Sequence, residues 1–181
     1  MKKNQLITIA AAILTAPALF AVGDPDFERT KPQELPLWSG AQWVKASTKK
    51  FTAKIVEDAK SAASGKQYLH AENQDKQAVW VLAYPSQKFI PGYGVEITLK
   101  ARGEGESNFG LNIYGKDGKL RPWHSKISIP YARRDAKKWQ ELKHRYIPIE
   151  GDDRFMLSLG VRKGSAEWDD VKVTTFKLEE K

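Results

Sequence analysis

The chain has 181 residues, 41% of them hydrophobic and 29% charged, which is enough apolar matter for one globular domain with a real core. It contains no cysteine, which excludes disulfides, thiolate chemistry and a lipid-anchored N-terminal cysteine. The formal charge of +8 favours anionic partners over cationic ones, and a plain solvated basic surface is the competing reading.

Lys2 and Lys3 open the chain, residues 6–21 are apolar without a charge, and small residues lead to Asp24. This is the pattern of a secretory signal peptide over residues 1–23, cleaved after Ala21 or Gly23. The apolar stretch is short for a bilayer span and Pro17 interrupts it, so no membrane span is expected after cleavage. Removing Lys2 and Lys3 lowers the charge from +8 to +6 for a mature domain of residues 24–181. The expected location is secreted or periplasmic, by bacterial export. Export, and the lack of a helix-turn-helix or RNP pattern, exclude nucleic acid as a partner.

Pro25, Pro32 and Pro36 make residues 24–37 an extended lead-in. Short alternating segments follow at 41–48 and 51–59, a turn-rich loop covers 60–66, and one helical turn can form within 56–66. In 67–73, Tyr68 and His70 share one side and Leu69 and Ala71 the other. Residues 77–84 have the length and β-branching of a buried strand. In 93–103, Val95, Ile97, Leu99 and Ala101 face one way, and Glu96, Thr98, Lys100 and Arg102 the other. Residues 108–120 form a strand and a hairpin on Asp117-Gly118, a type I′ signal, with 125–131 returning. Segments 139–149, 154–162 and 167–178 complete about ten strands. Their spacing predicts an all-β antiparallel β-sandwich.

Several motifs come in a telling order. They are Asp26-Phe27-Glu28, Trp38 to Gly40, Ser64-Gly65 with Leu69, the stretch from Phe89 to Gly103, Lys137 to Ile149, and finally "EWDDVKV" from Glu167. This series resembles the jelly-roll carbohydrate-binding modules of the 4/9 type, within the galactose-binding-like superfamily, over nearly all of the mature chain. The resemblance implies two antiparallel sheets with jelly-roll connections. It also implies a structural calcium held between the lead-in and the last strand. Asp169, on the parity of Val171 and Val173, is expected to point inward, where a carboxylate needs a cation or hydrogen-bond donors. Glu28 matches the family's acidic lead-in position, so Asp169 and Glu28 are the candidate metal ligands. The alternative is that Asp169 accepts backbone amides without a metal.

Sugar rings present flat apolar faces to aromatic side chains, and polar neighbours fix their hydroxyls. The candidate ligand-binding residues are Trp123, in a loop beside Arg121, Tyr114, which opposes the parity of Leu111 and Ile113, and Trp80, on the parity of Tyr84. Packing is the competing role of each. Trp43, Trp139 and Trp168 read as core or sheet-edge residues. The polar row that ends in Lys100 and Arg102, with Asn112 expected beside it, offers partners for carboxylate or sulfate groups.

Three functions fit these residues. The first is secreted, non-catalytic polysaccharide binding, including uronic-acid or sulfated glycans. The second is a structural or adhesive envelope protein that uses the sandwich for protein contacts. The third is a small jelly-roll polysaccharide lyase, for which Tyr131 to Asp135 supplies a Tyr and Arg but no placed His. The paired carboxylates Asp169-Asp170 and Asp152-Asp153 do not suit glycosidase chemistry, because neighbours on a strand point to opposite faces.

Overall fold

The computed structural model describes residues 19–20, 26–28, 51–82 and 86–179. Trp38, Trp43, Tyr84 and most of the expected leader lie outside them. Among the described residues the strands are β1 (Leu19–Phe20), β2 (Phe51–Glu57), β3 (Gln67–Asn73), β4 (Val79–Leu82), β5 (Gln87–Lys88), β6 (Tyr93–Arg102), β7 (Glu106–Gly115), β8 (Ala132–Arg133), β9 (Gln140–Tyr146), β10 (Asp152–Arg162) and β11 (Gly164–Lys177). The six-stranded sheet runs β2-β3-β11-β6-β9, with β1 beside β11, and the five-stranded sheet runs β4-β10-β7-β8, with β5 on β10. All pairings are antiparallel, so the fold is the expected all-β jelly-roll sandwich.

Period-two alternation decides which residues fill the space between the sheets. Val95, Ile97, Leu99 and Ala101 of β6 are buried, as are Phe109, Leu111 and Ile113 of β7 and Leu157, Leu159 and Val161 of β10. Each large side chain buried this way contributes about 1.5–3 kcal/mol. Trp168 joins this core, and the loop after β2 makes one helical turn on the Asp58 carbonyl.

Two local expectations are corrected. The hairpin after β7 is not type I′. Gly118 N–H donates to Gly115 O, Gly115 N–H to Lys119 O, and Gly118 has φ 74° while Asp117 keeps a negative φ. That is a type I turn closed by a left-handed glycine. The second correction concerns β11. Asp169 pairs with Lys100 and Lys172 with Thr98, so Asp170 and Val171 together oppose Leu99, and Asp170 takes φ 53°. This bulge breaks the alternation. Asp169 therefore shares the face of Glu167, away from the sandwich core, and not that of Val171.

Candidate functional site

The outer face of the five-stranded sheet is built by the residues that alternate with its core. Register sets Trp80 of β4 opposite Gly160 of β10, which in turn faces Asn108 of β7. The next row places Ser158 opposite Gly110, which bridges to Ser128. The floor is thus made of glycine and serine. An indole stands on either side: Trp80 is 39% exposed and Trp123 68% exposed. Trp123 is held in place, its Nε1–H donating to Ser128 Oγ at 3.1 Å. Asn112 and Tyr114 continue the same face along β7, with Tyr114 opposite Arg154. Trp80 thus stands partly in solvent, although its strand is otherwise apolar.

Three side chains converge over Gly160. A Cβ there would collide with Asn108 Oδ1, the Tyr131 hydroxyl and the Trp80 indole. Asn108 Oδ1 and the Tyr131 hydroxyl are buried without a hydrogen-bond partner among the described residues. Burial pushes the Tyr131 hydroxyl up to about 12, with the Arg162 guanidinium and the Trp80 indole offsetting part of the rise. The Arg162 guanidinium carbon lies 4.5 Å from the centre of the Tyr131 ring. At neutral pH the phenol is therefore held protonated.

The sequence-based site residues divide between two faces. Trp80, Trp123, Asn112 and Tyr114 gather on the five-stranded sheet. Arg121 is close to them in sequence but braces a turn: it donates to Gly151 O at 2.5 Å, and its Nε lies 3.9 Å from Asp152 Oδ1. Lys100 and Arg102 belong to β6 in the other sheet, so Asn112 does not lie beside their row. Arg102 pairs with Glu167 and sits 4.4 Å from the centre of the Trp139 ring and 5.2 Å from that of Tyr68. Burial alone would raise Glu167, but His70 and Arg102 hold its carboxyl below the usual range. Lys100 pairs with Asp170 at 2.7 Å. A shallow depression on that face lies between Lys100, Glu141 and Lys172, and its two lysines are already matched to Asp170. Sequence reasoning misses Asn108, Gly160 and Arg162. The one signal it offers is that Asn108 shares the parity of Asn112 and Tyr114.

Asp169 is fully buried beneath the loop that follows β2. Its Oδ2 accepts Ala63 N–H at 2.8 Å and Ser64 N–H at 2.9 Å, and its Oδ1 accepts Asp170 N–H at 2.7 Å. Burial raises its carboxyl above the ordinary value, against the lowering effect of those amides. Glu28 Oε1 accepts Lys66 N–H at 2.5 Å and Gln67 N–H at 2.8 Å. The two carboxylates thus pin neighbouring parts of one loop. Their oxygens are engaged by backbone N–H donors, and among the described residues no group of three His, Asp or Glu gathers.

No protein-family model and no curated protein matches the chain. Solved structures do. A bacteriophage CBA120 tailspike protein 4 domain matches with a TM-score of 0.53 at 11% identity, over 71% of this chain and only 18% of its own. TmCBM61, solved in complex with beta-1,4-galactotriose, matches with a TM-score of 0.50 at 16% identity, over 86% of this chain and 96% of its own. The N-terminal CBM22-1-CBM22-2 tandem domain from Paenibacillus barcinonensis Xyn10C matches with a TM-score of 0.51 at 16% identity, over 83% of this chain and 47% of its own. At such identities the likeness is one of fold. The chain has a jelly-roll sandwich of the kind used by carbohydrate-binding modules.

Proposed function

We propose that this protein is an exported, non-catalytic polysaccharide-binding module whose ligand lies on the outer face of the five-stranded sheet. The observation that carries the reading is the pair of part-exposed indoles, Trp80 and Trp123, on either side of a floor of glycine and serine. Flat apolar side chains beside small residues suit the faces of sugar rings, and Asn112 on the same face supplies an amide partner for their hydroxyls. Membership of the 4/9 type and secretion after cleavage of residues 1–23 are further parts of this proposal. Among the described residues no helix is long and apolar enough to cross a membrane.

The test is retention of the protein on an array of immobilised polysaccharides, repeated with Trp80→Ala and Trp123→Ala. Retention on one glycan class that both variants lose supports the module and its site. A folded protein retained by no glycan overturns it and favours the envelope-contact reading.

A further inference from the structure

The two outer faces of the sandwich differ in charge. On the six-stranded sheet acids offset the cations: Lys100 pairs with Asp170, Arg102 with Glu167, and Lys143 and Arg145 with Glu96. On the five-stranded sheet, register places Lys88, Arg133, Arg154 and Arg162 on the outer face with Glu106 as the acid among them. Arg162 meets Glu106 only at 3.5 Å, and Arg154 meets the neighbouring Asp153 at 3.0 Å. Both arginine side chains are more than two-fifths exposed. The stack on Tyr131 holds the Arg162 fork in one plane, which suits bidentate capture of a carboxylate.

We infer that this face takes a carboxylate-bearing glycan, a polyuronate, with Arg154 and Arg162 holding carboxylates at the two ends of the floor flanked by Trp80 and Trp123. This deepens the reading above and rests on it. Arg154 and Arg162 are eight positions apart on β10, up to about 27 Å at the usual strand rise, so an extended polymer engages both and a single sugar does not. The positive net charge agrees in sign, but it is the excess of cations over acids on the aromatic face that selects the ligand.

The experiment measures affinity for a series of polyuronates, polygalacturonate and alginate among them, each beside its carboxyl-reduced neutral counterpart. Binding to a polyuronate at least about tenfold tighter than to its reduced form is expected, falling to the level of the reduced form in the Arg154→Gln/Arg162→Gln variant. The charge-matched variant Lys54→Gln/Lys172→Gln, altered on the opposite face, should bind as the parent does. Equal affinity for the two members of every pair overturns the inference and leaves the glycan reading standing. Equal weakening by both double variants also overturns it, since attraction by net charge alone would then suffice. Binding to no member of any pair removes the glycan reading itself.

Discussion

Trp80 and Gly160 face each other across β4 and β10, and the missing side chain at Gly160 is what lets the indole meet Asn108 and Tyr131 at one point. The glycine is needed here for space, since its own backbone is not left-handed. Gly160→Ala should therefore overpack the face and cost about 1–3 kcal/mol. A shift of the urea midpoint with unchanged slope checks the cost. Glycan affinity should fall with it, because Trp80 has to move.

Trp123 offers the opposite balance. It is 68% exposed, and one hydrogen bond to Ser128 holds it. Trp123→Ala should change stability by less than about 1 kcal/mol. The same change should weaken glycan binding about tenfold, as expected for loss of one stacked aromatic. Thermal melting and a binding isotherm on one preparation separate the two effects.

His144 gives the fold an acid-sensitive point. It lies on the core side of β9, edge-on to Phe109 at 6.4 Å, and its Nε2 is buried without a partner among the described residues. Burial lowers its pKa, against a bond to the Lys126 backbone that raises it. The fold therefore favours the neutral ring. Its stabilising effect is full above the unfolded value of about 6.5 and is lost as pH falls through the lowered folded value. Urea midpoints at pH 7.5 and 5 should differ less in His144→Phe than in the parent. An unchanged difference would place the acid sensitivity elsewhere.

Asp169 should matter to stability without a metal. Asp169→Ala strands the amides of Ala63, Ser64 and Asp170, at a cost of about 2–4 kcal/mol. The parent should melt at the same temperature in calcium and in chelator. A rise of several degrees with calcium, lost in Asp169→Ala, would instead make Asp169 a cation ligand.

Alternation along a regular strand is enough to assign its two faces from the sequence alone. Val95, Ile97, Leu99 and Ala101 form a core stripe because side chains on a pleated strand repeat every two residues. The order of the motifs likewise points to the jelly-roll architecture. Parity within a strand, however, carries no information about which sheet the strand enters. Only long-range pairing puts β6 and β7, consecutive in the chain, into different sheets, and so parts Lys100 and Arg102 from Asn112. A single left-handed residue, Asp170, turns Asp169 from the core to the loop, since one bulge inverts the parity of everything before it. The convergence of Trp80, Asn108 and Tyr131 over Gly160 joins β4, β7, β10 and the segment before β8, which only the assembled sheet brings together.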